Sequence, residues 1–527
     1  MPLRDAHEDA WHGLPRPLTG ARNADYQHHG FVHGCGVERR CPRGAGRARV
    51  VTVDDLPRLS GAVPNYTWAL GVLVAVCSVL FVVAYLRHWA PRVAASIGVA
   101  VLVRVVVVWV AFGQTPRDVA SYFRVAGELL LRGADPMTHM PQFRWNFLPF
   151  MPIIFGAELK TGINWEISGK IAPVIADLVL VVLLARLGGR EHQGRNVALL
   201  YAVCPVAFLV TAVHGQVEPI ALAFGVAGYL AARGGRPGVA GALLGLAIAA
   251  KTWPAVLLPG LLREIPWRRW WRALAGVAAV PLLFLLMVPF VLHDSLRAAI
   301  DTLTGYRSFV GRWGWAGIAH VWDVVDLGYA GPGVDTAQRV GTLLTAVAVL
   351  GVLALLWKRA DGVALTGGLM LVFFAVTAGF GIQYLLWPVP FVLLLRRLSG
   401  IVYVTLAGVY SALFYMFYEA VPDVRDAMNV VLPAASLVVI VAGLAALPRR
   451  LHAPPGPGSG GPGQPRIPAQ AGAPAAVRSH DSGSSATITS AVRNTGGGHF
   501  RGSVPATRAP RHPRPTSTTN PYLEIHQ

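Results

Sequence analysis

Charged residues are scarce in this chain. They make up 14% of its 527 residues, whereas 54% are hydrophobic. Soluble proteins carry about 25% charged residues, so this shortage excludes an ordinary soluble fold. Strands of about ten residues with alternating polarity are also missing, which excludes an outer-membrane barrel. Apolar runs of roughly 17 to 25 residues recur instead, and this length crosses the hydrocarbon core of a membrane.

Cysteine and lysine are rare as well. Four cysteines, two of them in apolar segments, do not make a disulfide scaffold. Cys35 and Cys41 lie near histidines, but their spacing matches no standard zinc pattern, so we predict no metal site there. No cluster of histidine and aspartate demands a divalent metal elsewhere, and metal dependence stays open.

The net charge of +19 invites a nucleic-acid partner. Its arginines, however, lie in the two tails and in short loops between apolar segments, as the positive-inside rule expects of a membrane protein. Because arginine outnumbers lysine by 42 to 4, the composition also reflects a GC-rich genome. We therefore predict membrane lipids, and no nucleic acid, as partners.

Three regions are predicted along the chain. Residues 1–62 lack hydrophobic periodicity and no apolar run follows their charges, so we expect a disordered tail without a signal peptide, with a true start possible near Val51 or Val53. Residues 63–447 form the membrane domain. Residues 448–527 are rich in Pro, Gly, Ser and Arg and are expected to be a disordered cytoplasmic tail.

The fold class is all-α and polytopic, with about 11–13 transmembrane or re-entrant helices and an external interfacial helix. The segment 238–262 contains Lys251 and Pro254, which predicts a broken helix or hairpin that returns to the side it left. Apolar segments are predicted at 66–86, 93–112, 168–187, 196–213, 217–232, 238–262, 273–292, 339–357, 363–379, 383–395, 401–418 and 429–447.

The loop arginines predict which ends of these helices lie together. The pairs Arg87 with Arg92 and Arg396 with Arg397 fall on one side, which we assign to the cytoplasm. The opposite, external side then holds 113–167, the turn after His214 and the turn after Glu419. If the segment 66–86 is threaded the other way, this topology is inverted.

Asp118 is the first candidate for chemistry, because it follows an apolar segment and lies at the membrane surface. Partial desolvation there is expected to raise its pKa and make it a base. Apolar residues at helical spacing over Val119 to Leu131, ended by Arg132 and Gly133, predict an interfacial helix. The alternative is that Asp118 only caps this helix.

Further polar residues interrupt the apolar segments. His214, Gln216 and Glu218 lie in one tight turn, and ionisable groups at membrane depth tend to mark function. Lys251 needs an anionic partner, either a lipid phosphate or a carboxylate such as that of Glu218. The alternatives are a plain polar turn and a lysine that snorkels to the interface.

The long external loop adds Arg307 and Arg312, which alternate with aromatic residues and can clamp a phosphate or stack on a sugar. Arginine and tryptophan are equally typical of interfacial belts. Gln383 opens a later helix at the same face and is placed to hydrogen-bond a sugar, or to satisfy a backbone group.

Over residues 93–420 the order of these residues resembles the GT-C membrane glycosyltransferases, specifically the polyprenyl-phosphate mannosyltransferases of glycosyltransferase family 87. Glu218 departs from the aspartate expected after His-Gly-Gln, and the segment 66–86 is an additional helix. The resemblance is carried by Asp118 with Tyr122, Leu130 to Pro136, His214-Gly215-Gln216, Leu244 to Ala247 with Lys251 and Pro254, and Gln383-Tyr384 before Trp387-Pro388.

The resemblance implies a hexosyltransferase in the cytoplasmic membrane of a bacterium that serves the cell envelope. Its donor would be a polyprenyl-phosphate sugar, in agreement with the absence of an Asp-x-Asp motif, and its acceptor a glycolipid or glycan. Asp118 would be the general base of an inverting transfer. Lys251, Arg307 or Arg312 would stabilise the leaving phosphate, while His214, Gln216 and Glu218 would orient the substrates.

Two other functions fit a membrane protein with broken helices. A transporter or flippase of a lipid-linked glycan would also carry buried charge, although no inverted repeat is visible and the polar residues gather at one face. In a non-catalytic membrane subunit, Asp118 would be dispensable.

Overall fold

Long apolar helices dominate the computed structural model of the chain, which describes residues 65–116, 118–139, 147–189, 191–306, 308–421 and 424–448. Within these ranges there is no strand, only isolated bridges from Val310 to Gly328 and Gly379. The all-α polytopic fold is confirmed. The predicted tails, with Cys35 and Cys41, lie outside the described residues except for Pro448.

The helices of the first half are α1 (Asn65–Leu86), α2 (Val93–Val110), α3 (Arg124–Leu131), α4 (Pro136–His139), α5 (Phe150–Lys160), α6 (Trp165–Ser168), α7 (Ile171–Leu187), α8 (Glu191–Ala202), α9 (Pro205–Phe208), α10 (Glu218–Arg233), α11 (Pro237–Ala250) and α12 (Leu258–Arg263). Turns of π-helix at Asp118–Phe123 and Leu209–His214 precede α3 and follow α9, and a 3-10 turn at Trp253–Leu257 precedes α12.

The second half contains α13 (Trp270–Leu286), α14 (Val288–Val291), α15 (Leu296–Thr304), α16 (Gly314–Val321), α17 (Pro332–Leu356), α18 (Gly362–Val376), α19 (Val389–Leu395), α20 (Leu398–Leu413) and α21 (Arg425–Ala445). Further 3-10 turns lie at Trp267–Arg269 and Ile382–Leu386, and a π turn at Phe414–Glu419 extends α20.

Seven of the described helices are long and apolar enough to cross a membrane, and α8 with α9 and its π turn, bent by 49°, is either a broken eighth span or a re-entrant loop. Three shorter apolar helices accompany them. Only 6% of the spans built on α13 and α17 is buried within the protein. Helices that expose apolar side chains over most of their surface are suited to contact with lipid tails.

The bend between α8 and α9 is held by a buried ion pair. Arg104 of α2 contacts Asp177 of α7 at 2.7 Å, and both side chains are fully buried. The same guanidinium donates to the carbonyl oxygens of Tyr201 and Ala202, where α8 ends. The Tyr201 hydroxyl donates to Asp177 at 2.6 Å. Arg104 thus supplies donors to carbonyls at the end of α8, just before Pro205, which has no N–H to continue the helix.

The hairpin predicted at Lys251 is confirmed. Helix α11 ends at Ala250, and Lys251 is extended, with φ −163° and ψ 145°. The Arg233 side chain, at the end of α10, lies 3.0 Å from Glu264, which follows α12. Because α11 begins close to Arg233, the chain returns after Lys251 to the side from which it came.

Hydrogen bonds also confirm the predicted grouping of helix ends. The Tyr85 hydroxyl, at the end of α1, donates to the carbonyl of Arg396, and the Arg396 guanidinium lies 3.1 Å from Nδ1 of His88. At the opposite end of α1, the Tyr66 hydroxyl donates to the carbonyl of Tyr415. Helix α1 therefore lies along α20.

Small residues allow α11 and α13 to pack closely. A Cβ atom added at Gly241 would lie 1.9 Å from the carbonyl oxygen of Ala273, and one at Gly276 would lie 2.6 Å from the backbone nitrogen of Ala242. Glycine at such positions lets two membrane helices approach at backbone distance. No side chain fits between them.

We expect Gly241→Ala to lower the free energy of unfolding by about 1–3 kcal/mol, because the added methyl group forces the two helices apart. Gly238→Ala on the same helix is the matched control, since a Cβ atom there meets nothing within 4 Å. Thermal unfolding of the purified variants in detergent measures the difference. Equal midpoints for the two variants would contradict the close contact.

Candidate functional site

Asp118 begins the interfacial helix that the sequence predicts. A π turn over Asp118–Phe123 runs into α3, which ends at Arg132 and Gly133, and Gly133 has a positive φ of 71°. The Val119 amide donates to Oδ1 of Asp118 at 2.9 Å. This bond joins neighbouring residues and is not the bond to the N2 or N3 amide that defines a helix cap, and the carboxylate makes other contacts as well.

The turn after α9 supplies two of those contacts. Gly215 adopts the left-handed conformation, with φ 81°, and a Cβ atom there would lie 3.1 Å from Cγ of Lys170. Glycine is thus favoured at this position both by its backbone and by the space available. The reversal brings Nε2 of Gln216 to 3.0 Å from Nε2 of His214.

Both side chains converge on Asp118. Nε2 of His214 lies 2.9 and 3.1 Å from the two carboxylate oxygens, and the Gln216 amide donates to Oδ2 at 2.5 Å. The exposed fraction is 4% for His214 and 1% for Gln216, whereas the Asp118 side chain is 35% exposed. A substrate can therefore reach the carboxylate, while the other two residues hold it from behind.

Tyr415 completes this network from the far end of the chain. Its hydroxyl lies 2.6 Å from Nδ1 of His214, and its side chain is buried. Because both ring nitrogens of His214 have partners, the imidazole is fixed in position. Sequence reasoning missed Tyr415. Its span contains other hydroxyl groups, such as those of Thr405 and Ser411, so nothing in the sequence distinguishes Tyr415 as the partner of a histidine 201 positions away.

The pKa of Asp118 is lowered, so the predicted increase is wrong. Burial does raise it, but the charge and hydrogen bond of His214, the Val119 amide and the charge of Lys251 together lower it by more. These groups all stabilise the ionised form. Asp118 is thus a carboxylate at neutral pH, in the form that can accept a proton.

Glu218 and Lys251 form a second polar pair beside this network. Nζ of Lys251 lies 2.5 Å from Oε1 of Glu218, and Glu218 is fully buried. Of the predicted alternatives for Lys251, the structure shows the carboxylate partner. Among the described residues, Oε2 of Glu218 accepts no hydrogen bond.

Aromatic rings surround the ammonium of Lys251. It lies 5.8 Å from the ring centroid of Phe147 and 5.6 Å from that of Tyr384, within cation–π range. Tyr306 lies beside Tyr384, and burial and the nearby Glu218 raise its pKa. The positive charge of Lys251 is one of the groups that lower the pKa of Asp118. The Glu218–Lys251 pair and the Asp118 network are therefore close enough to interact.

Lys251 also lines a cavity of about 560 Å³. From Gln338 to Val349 the wall belongs to α17, so the cavity follows that helix for roughly 16 Å at 1.5 Å per residue. Other lining residues are Trp253, Val256, Tyr306, Thr342, Thr345, Ala346, Met370, Phe373, Tyr384 and Trp387. The cavity therefore joins a cationic group to a mostly apolar groove between α17 and α18.

The other predicted site residues lie elsewhere. Arg307 is outside the described residues. Arg312 contacts Tyr418 and Asn429 instead of Lys251. The Gln383 amide lies against Gly381, and its neighbour Tyr384 takes the position beside Lys251, so a sugar contact by Gln383 stays a prediction. Within the described ranges no three His, Cys, Asp or Glu residues cluster as metal ligands.

Comparison with known proteins agrees with the predicted resemblance. Residues 167–378 match the family model described as Glycosyltransferase family 87. The match includes His214, Gln216, Glu218 and Lys251, but not Asp118 or Tyr415. A search of curated proteins found no match.

Proposed function

We propose that this multi-pass membrane protein, which carries a glycosyltransferase family 87 domain at residues 167–378, transfers mannose from a polyprenyl-phosphate donor to a hydroxyl of a glycolipid or glycan. The arginine distribution supports an active site at the external face of the membrane. The observation that carries the proposal is Asp118, a partly exposed carboxylate held by buried His214 and Gln216 next to the cationic cavity.

In the proposed reaction, Asp118 accepts the proton of the acceptor hydroxyl. The hydroxyl oxygen attacks the anomeric carbon of the donor sugar. The configuration at this carbon inverts as its bond to the phosphate oxygen breaks. The polyprenyl phosphate leaves with the bonding electrons. The ammonium of Lys251, held by Glu218, stabilises the negative charge that develops on it.

The cavity supports a lipid-linked donor. Its volume of about 560 Å³ falls in the range of ligand pockets, which is about 300–1,000 Å³. It begins at Lys251 and continues between α17 and α18, where Val349, Met370 and Phe373 line it together with the hydroxyls of Thr342 and Thr345. A phosphate at Lys251 and an isoprenoid chain along the groove match this order of charge and apolar surface.

A donor assay with purified protein tests the function. One reaction contains radiolabelled polyprenyl-phosphate mannose as the donor, and a second contains radiolabelled nucleotide-linked mannose. A third, parallel reaction contains polyprenyl-phosphate arabinose. Glycolipids extracted from the source membranes serve as acceptors. We expect labelled product only from polyprenyl-phosphate mannose. Preference for the nucleotide sugar, or movement of the lipid-linked sugar across a vesicle without transfer, would contradict the proposal.

We expect His214→Gln to move the acidic limit of kcat/KM to higher pH. Transfer requires ionised Asp118 and is lost as the pH falls through its pKa. The variant removes the imidazole charge that lowers this pKa, while burial continues to raise it. A pH–rate profile measures the shift. His320→Gln is the matched control, since His320 contacts the carbonyl of Val325, and an identical limit in both variants counts against the assignment.

A further inference from the structure

Two arginines converge on one tyrosine beside the candidate site. The guanidinium carbon of Arg312, which precedes α16, lies 4.8 Å from the ring centroid of Tyr418. That of Arg425, the first residue of α21, lies 5.8 Å from the same centroid. Two positive charges are therefore brought together on a neutral ring.

Within the described residues, the hydrogen-bond partners of these guanidinium groups are neutral. Nε of Arg312 donates to Oδ1 of Asn429. Nε of Arg425 donates to the carbonyl of Tyr418 at 3.0 Å, and its terminal nitrogen lies 3.5 Å from the carbonyl of Glu419. No carboxylate in the part of the chain that the structure describes lies within 4.0 Å of either group.

This arrangement differs from that of other arginines in the same fold. Arg104 and Arg233 have carboxylate partners at 2.7 and 3.0 Å. Burial lowers the pKa of Arg312, although the charge of Glu419 acts in the opposite direction. Two adjacent, partly buried cations with no carboxylate within hydrogen-bonding distance can bind an anion.

The arginine pair is connected to the catalytic network through α20 and its π turn. Tyr418 follows Tyr415 by three residues, and Tyr415 contacts His214. The Tyr410 hydroxyl donates to the carbonyl of Arg312 at 3.1 Å, which fixes its backbone. Lys251, by contrast, contacts Glu218 and Tyr384. The protein therefore has two separate cationic groups, one beside the cavity and one beside Tyr418, three residues from the tyrosine that contacts His214.

We propose that Arg312 and Arg425 bind a phosphate diester carried by the acceptor substrate, an inference that rests on the proposed function. The guanidinium group presents a planar fork of donors that matches phosphate oxygens. Tyr418 and Arg425 border the turn between two candidate spans, Leu398–Glu419 and Arg425–Ala445. Lipid phosphates lie at this level of a membrane, so an acceptor lipid held there extends its glycan toward Asp118.

Binding in a phosphate-free detergent tests the site without turnover. The probe is dihexanoyl phosphatidylglycerol, a phosphate diester, and dihexanoylglycerol is its neutral counterpart. We expect the diester to bind at least tenfold more tightly, and Arg312→Gln and Arg425→Gln each to weaken it about tenfold, as for a hydrogen bond to a charged group. The control is Arg297→Gln, because Arg297 is exposed and its ion pair with Asp301 is long, at 4.0 Å. Equal affinities for both probes, or variants that match this control, would overturn the site.

A transfer assay then separates the acceptor from bulk lipid. We expect the two variants to raise KM for phosphate-bearing acceptors and to leave kcat and the thermal midpoint unchanged. An equal loss with a phosphate-free glycolipid, or a loss seen only after anionic phospholipid is added, overturns the acceptor assignment. A protein that binds the diester but transfers no sugar contradicts the proposed function and leaves the anion site in place.

Discussion

Asp118→Asn is expected to lower kcat/KM for sugar transfer by a factor on the order of 10²–10⁴, the contribution typical of a general base. The amide is nearly isosteric with the carboxylate, and its single oxygen can keep one of the two hydrogen bonds that Val119 and Gln216 donate to separate carboxylate oxygens. It cannot accept the proton of an acceptor hydroxyl at neutral pH. Initial rates with polyprenyl-phosphate mannose and extracted glycolipid measure the loss.

The control for this substitution is Asp301→Asn. Asp301 lies on α15, its side chain is 72% exposed, and its ion pair with Arg297 is long, at 4.0 Å. We expect this variant to retain the wild-type rate. Asp118→Asn should also keep the wild-type thermal midpoint, which shows that the lost rate does not come from unfolding. Full transfer by Asp118→Asn would refute its role as base.

The second large effect concerns the ion pair between α2 and α7. Arg104→Leu and Asp177→Leu are each expected to lower the free energy of unfolding by about 3–5 kcal/mol, because each leaves a buried charge without a partner. Arg104→Leu also removes the side-chain donor to the carbonyl of Ala202, whereas the carbonyl of Tyr201 still accepts from the Cys204 amide. Denaturant or thermal unfolding in detergent measures both losses.

The double variant distinguishes a charge effect from a packing effect. With both charges removed, Arg104→Leu with Asp177→Leu should be less destabilised than the sum of the two single variants. Adding Tyr201→Phe removes the hydroxyl that donates to Asp177 and should recover further stability. Strictly additive losses would show that the charges do not interact.

Local patterns were sufficient to predict the membrane helices. Apolar runs identified them, and Lys251 with Pro254 marked the hairpin, because a buried ammonium and a proline both interrupt a membrane helix. The interfacial helix after Asp118 was visible from its spacing and from Gly133. These features depend on residues a few positions apart, which a sequence displays directly.

The chemistry of the site could be predicted only in part. Asp118, His214 and Gln216 were placed at one face, but the direction of the Asp118 pKa depends on a histidine 96 positions away at 2.9 Å. Arg104 and Asp177 are charged residues within apolar segments, yet nothing in the sequence shows that residues 73 positions apart form a pair. Tyr415 and the Arg312–Arg425 pair are likewise products of tertiary contacts.

The contact between Tyr415 and His214 has a consequence for biosynthesis. During translation, Asp118 and His214 leave the ribosome well before residue 415, so a nascent chain holds the carboxylate and the imidazole but lacks the hydroxyl that fixes the ring. Enzymatic competence should therefore arise late, once α20 has inserted. Residues 167–378 placed alone in another scaffold would include His214 but would lack both of its partners, the carboxylate of Asp118 and the phenol of Tyr415.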